Sequence, residues 1–231
     1  MIRAISFDAD QTLWDFRAVM ARALERTAES IATLFPGVDI TPAELQEARD
    51  AVAVGARGRR HSLEEVREES FRVALEGRGV DPREAAIAAA GLADAYMRMR
   101  FEEIELYDDV PPLLDWLRGR YRLALVTNGN TDPERCGLPG FFDAVVLGPD
   151  HGIEKPHPRM FELAAEGMGV ATTDLLHVGD SASDVVGANG VRAVSVLLDR
   201  GERELDEEVR AVSGFAITSL TELPAVLASL G

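Results

Sequence analysis

The order in which strand and helix patterns occur along this chain constrains its fold more than any other feature. A short apolar segment, Ile2–Phe7, predicts a buried strand, and residues 15–105 then show only helical patterns. From Leu106 onward, short apolar strands alternate with helices, which predicts a parallel sheet covered on both faces. Because the first strand belongs with this set, we predict an α/β fold: a doubly wound, Rossmann-like parallel-sheet core, residues 1–14 and 106–231, with an inserted all-helical domain, residues 15–105.

Recognisable start signals predict where the inserted helices begin. Thr41 and Asp81 each precede a proline. Both are predicted N-cap residues, because proline is favoured at the first position of a helix. Ser62 and Glu65 have the spacing of a capping box. The expected helices are Phe16–Leu34, Pro42–Val54, one from Ser62 to about Glu76 and one from Pro82 to about Arg100. In the core we expect strands at 123–126, 144–147, 175–178, 193–196 and 215–217.

The charge of the chain limits its partners. The formal net charge is −16, which argues against binding to nucleic acid or to an anionic membrane. An anionic small molecule would need a local positive site. The single cysteine, Cys136, excludes an internal disulfide, and no signal peptide precedes the first strand. We therefore expect a cytoplasmic protein, monomeric or homodimeric, that acts on a small molecule.

Two aspartates follow the first strand directly. Asp8 and Asp10 are two residues apart, so an extended backbone points both to one side. Two neighbouring carboxylates repel unless a cation lies between them or one is protonated. The alternative interpretation is an aspartate-rich turn after the strand, because aspartate is common in turns. The pair is nevertheless a candidate for metal binding and general acid–base catalysis.

The only lysine of the chain, Lys155, accompanies 23 arginines. It lies in the loop Gly152–Pro156 between an expected strand and an expected helix. Lysine is a compact point charge suited to phosphate, whereas arginine is a planar fork. Chance survival of a surface lysine is the alternative, but the position of Lys155 favours a functional role.

Polar residues follow several expected strands at the edge where a doubly wound sheet binds its ligand. Taken one at a time, such residues are typical of turns, but their convergence on one edge indicates a site. His177, which lies within an expected strand, is predicted to be structural. The residues expected at this edge are Asp8, Asp10, Thr127, Asn128, Lys155, Asp180 and Asp184.

These residue types suit phosphoryl transfer. Asp8 can attack phosphorus as a nucleophile, and Asp10 can protonate the leaving oxygen and later deprotonate water. Thr127 and Asn128 can donate hydrogen bonds to phosphoryl oxygens, while Lys155 neutralises their charge. Carboxylates are the ligands that a hard cation such as Mg²⁺ prefers. The candidate metal ligands are Asp8, Asp10, Asp180 and Asp184.

With these motifs in this order, the chain closely resembles the phosphatase branch of the haloacid dehalogenase superfamily. The residues that carry the resemblance are Asp8-x-Asp10-x-Thr12-Leu13, Thr127-Asn128, Lys155-Pro156 and Gly179-Asp180-Ser181 with Asp184-Val185. The resemblance implies that the inserted helices form a cap that closes over the site and selects the substrate. It also implies a metal held by the Asp8 and Asp180 side chains and the Asp10 carbonyl, with Asp184 bound directly or through water.

We therefore predict a Mg²⁺-dependent phosphomonoester hydrolase that acts on a small-molecule phosphate through an aspartyl-phosphate. A 2-haloacid dehalogenase of the same fold is an alternative, although Asp10 argues against it because a leaving halide needs no acid and no metal. A phosphomutase also stays open. A non-catalytic binding protein is the remaining alternative, and the complete set of site residues argues against it.

Two regions are candidates for substrate specificity. Arg57, Arg59, Arg60 and His61 form a basic cluster between two expected helices of the insertion. This cluster is either a solvated loop or a group that meets a substrate phosphate or carboxylate. Trp14, where the chain enters the insertion, either lines the substrate pocket or packs in the core. We name Arg57, Arg60 and Trp14 as candidate specificity residues.

Overall fold

A computed structural model describes residues 1–55, 62–201 and 207–231. Within these residues the chain divides into two compact units. One comprises Met1–Phe16 with Ile104–Gly231, and the other comprises Arg17–Glu103. No helix within the described residues is both long enough and apolar enough to span a membrane.

The first unit is built on a parallel sheet. Its six strands, counted over the described residues, lie in the order β3-β2-β1-β4-β5-β6, and every neighbouring pair is parallel. Strands β2 and β3 are added on one side of β1, and β4, β5 and β6 are then added on its other side. The strand order therefore reverses between β1 and β4, which is where such sheets bind ligands. The strands are β1 (Ala4–Phe7), β2 (Arg122–Thr127), β3 (Ala144–Leu147), β4 (Leu175–Gly179), β5 (Val194–Leu198) and β6 (Phe215–Ile217).

Helices accompany the strands, as the apolar character of the strands predicts. On one side, Met160 and Phe161 pack with Ala124 and Val126 of β2 in a buried apolar cluster. The helices of this unit are α5 (Val110–Leu117), α6 (Gly148–His151), α7 (Pro158–Met168), α8 (Ala182–Gly190), α9 (Glu207–Val212) and α10 (Leu223–Ser229).

The second unit is helical throughout its described residues. Its core contains the fully buried side chains Ile31, Leu45, Phe71 and Leu75. The rings of Phe71 and Tyr96 meet edge to face with their centroids 5.9 Å apart. The helices are α1 (Phe16–Leu34), α2 (Pro42–Gly55), α3 (Leu63–Glu76) and α4 (Pro82–Glu102).

The predicted α/β class with a parallel sheet is confirmed, and most element bounds agree within two residues. Ser62 and Glu65 form the predicted capping box at the start of α3. The sequence patterns missed α6, α9 and α10. These helices have four, six and seven residues, which is two turns or fewer and too short for a helical period to repeat.

Candidate active site

The turn after β1 positions the first pair of aspartates. The Asp8 amide donates to the Val178 carbonyl at 2.8 Å, so the ladder between β1 and β4 continues through Asp8. The chain then turns, with Gln11 in the left-handed region at φ 64°. The Asp10 carboxylate accepts a hydrogen bond of 2.9 Å from the indole of Trp14, which is fully buried. Trp14 thus orients Asp10, and its expected role in specificity stays a prediction.

Lys155 lies among carboxylates in the interior. Its side chain is 3 % exposed, and Nζ contacts Oδ1 of Asp8 and Oδ1 of Asp184, the latter at 2.7 Å. The Asn128 side chain fixes this loop from both sides. Its Oδ1 accepts from the Lys155 amide at 2.6 Å, and its Nδ2 donates to the Lys155 carbonyl at 3.2 Å. Asn128 therefore anchors the loop that delivers the ammonium group.

The start of α8 holds Asp184. Its Oδ2 accepts from the Ser181 amide at 3.0 Å, and the Ser181 side chain accepts from the Asp184 amide, which together form a capping box. The same Oδ2 also contacts the Ser181 hydroxyl. A Cβ at Gly179 would lie 2.2 Å from Cγ of Asp184. Glycine at the end of β4 therefore leaves the space that this carboxylate occupies.

The sequence patterns did not anticipate the contacts of His177. Its Nε2 lies 3.0 Å from Oδ1 of Asp184, and its Nδ1 lies 2.8 Å from the Ser6 hydroxyl. Burial lowers the pKa of His177 despite the opposing effect of Asp184. The neutral ring thus donates from Nε2 to the carboxylate and accepts from Ser6 at Nδ1. The position of His177 two residues before the Gly-Asp motif was the available signal.

Thr127 ends β2 next to the aspartate turn. Its hydroxyl oxygen accepts a 3.0 Å hydrogen bond from the Gly129 amide, so the hydroxyl hydrogen can still be donated. A Cβ built on Gly129 would lie 3.4 Å from both Oδ2 of Asp10 and Oγ1 of Thr127. The structure therefore brings the ends of β1 and β2 together as the sheet topology predicts.

The electrostatics of the site call for a further cation. Asp8, Asp180 and Asp184 each place a carboxylate oxygen within 4.8 Å of the others. Burial raises the pKa of Asp8 to about 8, Lys155 opposes this, and the carboxylates of Asp184, Asp180 and Asp10 add to it. In contrast, the pKa of Asp184 is lowered because Lys155 and His177 outweigh its burial. One ammonium group thus leaves negative charge in excess, and an oxygen-rich site of this kind fits a hard divalent cation.

The described residues include most of the predicted site. Lys155 contacts Asp8 and Asp184, and a carboxylate oxygen of Asp180 lies within 4.8 Å of both aspartates. Asp10, Thr127 and Asn128 lie at the same edge of the sheet. Arg57 and Arg60 lie outside the described residues.

Comparison with known proteins identifies the family. Residues 2–192 match the family model of haloacid dehalogenase-like hydrolases. The chain belongs to this family. The matched region of this hydrolase contains the aspartates, the Thr127–Asn128 pair and Lys155 described above.

Curated relatives of this haloacid dehalogenase-like hydrolase are phosphatases. The chain is 29 % identical to 5-amino-6-(5-phospho-D-ribitylamino)uracil phosphatase YigB of Escherichia coli K12, over 98 % of this chain and 96 % of that protein. It is 31 % identical to glyceraldehyde 3-phosphate phosphatase of Methanopyrus kandleri, over 87 % of this chain and 86 % of the relative. Among solved structures, a 2-haloacid dehalogenase from Pseudomonas syringae pv. Tomato DC3000 matches with a TM-score of 0.84 and 28 % identity, over the full length of both chains.

Proposed function

We propose that this protein hydrolyses a small-molecule phosphomonoester, with Asp8 as nucleophile and Mg²⁺ as cofactor. The observation that carries the proposal is the meeting of Asp8 with Lys155 and two further carboxylates at the switch point of the sheet. The phosphatase names of the two curated relatives support the same reaction class.

In the first half-reaction, a carboxylate oxygen of Asp8 forms a bond to phosphorus as the bond from phosphorus to the ester oxygen breaks. Asp10, held by Trp14, gives its proton to the departing oxygen, which leaves as an alcohol. Lys155 neutralises charge at the phosphoryl oxygens, and the Thr127 hydroxyl donates to them. The product of this step is an aspartyl-phosphate on Asp8.

In the second half-reaction, Asp10 takes a proton from water as the water oxygen attacks phosphorus. The bond between phosphorus and Asp8 breaks, which frees inorganic phosphate and restores the Asp8 carboxylate. The residues that would hold Mg²⁺ are Asp8, Asp180 and the Asp10 carbonyl. Bound there, the cation supplies positive charge that keeps Asp8 ionised and offsets the phosphoryl charge.

We also propose a division of labour between the two units. The core unit performs the chemistry, and the inserted helical unit selects the substrate, as the family resemblance implies. The substrate is a small molecule, and the protein acts in the cytoplasm as a monomer or homodimer. The single cysteine, Cys136, is buried and has no second cysteine in the chain to pair with, which agrees with that compartment.

The test is hydrolysis of p-nitrophenyl phosphate by the purified protein, with Mg²⁺ or with chelator. Asp8→Asn should lower turnover by about 10³-fold or more, because an amide is a poor nucleophile. Asp115→Asn is the matched control, since Asp115 is an exposed aspartate of the same unit. Wild-type turnover by Asp8→Asn would exclude Asp8 as the nucleophile.

The similarity to a solved 2-haloacid dehalogenase suggests a second candidate reaction, the displacement of halide from a 2-haloacid by Asp8. The fixed position of Asp10 beside the site favours phosphate hydrolysis, because a departing halide needs no proton. Chloride release from 2-chloropropionate, without phosphate release from esters, would assign the dehalogenase reaction instead.

A further inference from the structure

A depression lies at the edge of the sheet opposite the catalytic residues. It has a volume of about 430 Å³ and is lined by residues that precede β1, β2 and β3 and by the first two residues of β2. All of its lining residues belong to the core unit. Strand β2 runs from Arg122 at this depression to Thr127 at the catalytic edge. Six residues of strand separate the two sites by roughly 16 Å.

The lining is strongly positive in an otherwise acidic chain. Arg3, Arg118, Arg120 and Arg122 line it, whereas Asp143 is the one carboxylate among the described lining residues. The net charge of the whole chain is −16. A local excess of cations on such a protein creates a field that draws anions to one place.

Two of these arginines carry charge that no carboxylate balances. Arg122 pairs with Asp143 at 2.6 Å, and Arg3 lies 3.8 Å from Asp174. Arg118 and Arg120 have no carboxylate within ion-pair distance among the described residues. Arg120 donates instead to the carbonyl of Trp116 near the end of α5.

Aromatic rings hold the two unbalanced guanidinium groups. The Arg118 guanidinium lies 4.1 Å above the ring of Phe141, and that of Arg120 lies 4.9 Å from the ring of Trp116. Such stacking restricts the guanidinium plane while its N–H edge stays available to an anion. Each guanidinium has five N–H donors, so the bond from Arg120 to Trp116 leaves others free. The guanidinium groups of Arg118 and Arg120 are thus partly ordered before a ligand binds.

We propose that this depression binds a small molecule that carries at least two phosphoryl groups. The planar guanidinium of arginine can bind two phosphoryl oxygens at once, and the two cations Arg118 and Arg120 favour a ligand with more than one negative charge. The volume suits a small molecule. The ligand is either a free diphosphate or a nucleoside diphosphate, whose base could stack on the half-buried Tyr121 or Phe142 of the lining. This site is separate from the proposed catalytic centre and does not depend on its reaction.

The test is isothermal titration calorimetry of the full-length protein in chelator, with ADP in one series and pyrophosphate in another. We expect one bound ligand per chain in at least one series. The variant Arg118→Gln/Arg120→Gln should bind that ligand at least about tenfold more weakly, because two charge-assisted contacts are lost. Binding of ADP alone would assign the nucleoside form, and comparable binding of both would assign the diphosphate group as the determinant.

The matched control is Arg83→Gln/Arg98→Gln, which removes two exposed arginines of α4. Both double variants lose two positive charges, so the net charge goes from −16 to −18 in each. The control should bind like the wild type, and both variants should keep the wild-type melting temperature and p-nitrophenyl phosphate turnover.

Three outcomes would overturn the proposal. One is the absence of binding to the wild type in both series. Another is equal weakening in the two double variants, which would reflect net charge alone. The third is binding that survives in Arg118→Gln/Arg120→Gln but disappears in Asp8→Asn, which would place the ligand at the catalytic carboxylates.

Discussion

Asp184 shows how one buried carboxylate is kept ionised. Its two oxygens accept from Lys155, His177, the Ser181 amide and the Ser181 hydroxyl. A carboxylate offers about four acceptor positions, so these contacts use nearly all of its capacity. The contacts with Lys155 and His177 also explain why the pKa of Asp184 falls although burial alone would raise it. We therefore expect Asp184 to position Lys155 rather than to bind a metal directly.

His177 holds the Asp184 carboxylate through its Nε2, so its substitution should change both stability and activity. In His177→Phe the ring is kept but Asp184 loses a donor and Ser6 an acceptor, so the free energy of unfolding should fall by about 1–3 kcal/mol. The value of kcat should fall as well, because Asp184 then holds Lys155 less firmly. Urea denaturation and steady-state kinetics measure the two effects.

His177→Gln is the matched variant, because its amide can still donate to Asp184. It should lose less stability and less kcat than His177→Phe. Equal losses in the two variants would show that the imidazole acts by packing against Phe161, 4.9 Å away between ring centroids, rather than by its hydrogen bonds.

At the scale of elements, the junction between β4 and α8 depends on the absence of a side chain. Gly179→Ala would place a methyl carbon 2.2 Å from Cγ of Asp184, whose carboxylate is buried and held by Lys155 and His177. We expect a loss of about 1–3 kcal/mol in the free energy of unfolding, as in overpacked cores, and reduced turnover.

Gly190→Ala at the other end of α8 is the control, since a Cβ there meets no atom within 4 Å. Alanine has the higher helix propensity, so this variant should be neutral or more stable by up to about 1 kcal/mol. Thermal and urea denaturation of the two variants compare them directly. A Gly179→Ala protein as stable as the wild type would contradict the steric argument.

At the scale of the whole molecule, the excess of carboxylates links stability to metal and pH. Burial holds the pKa of Asp8 at about 8 without a metal, above its ordinary value of 3.8. The folded protein then binds a proton that the unfolded chain releases, so the stability due to this proton is full below pH 4. It is lost as pH rises toward 8, where ionised Asp8 and ionised Asp184 share a single ammonium group, that of Lys155.

Mg²⁺ should therefore raise the melting temperature of chelator-treated protein more at pH 8 than at pH 6. A pH series of melting curves, with and without MgCl₂, measures this difference. In Asp8→Asn the dependence on pH between 6 and 8 should be much smaller. An equal effect of Mg²⁺ at both pH values in the wild type would show that Asp8 is already ionised in the metal-free protein.

The sequence by itself determined the fold class and the chemical character of the site. Apolar strands separated by helices favour a parallel sheet covered on both faces, and parallel strands bring their carboxyl ends to one edge. The sequence therefore predicts one site for Asp8, Thr127, Lys155 and Asp180, because each comes after an expected strand. Local signals such as the capping box at Ser62 were equally readable, since they involve neighbours in the chain.

Only the tertiary structure decided how these groups share their hydrogen bonds. Asn128 binds the backbone of Lys155 across 27 residues, and Ser6 reaches His177 across 171 residues. The arginines of the opposite edge likewise gather from the starts of two different strands, β1 and β2. Such contacts depend on strand register and side-chain rotamer, which periodicity does not encode. A pattern therefore predicts which residues meet at an edge, and the packed structure determines which atom donates to which.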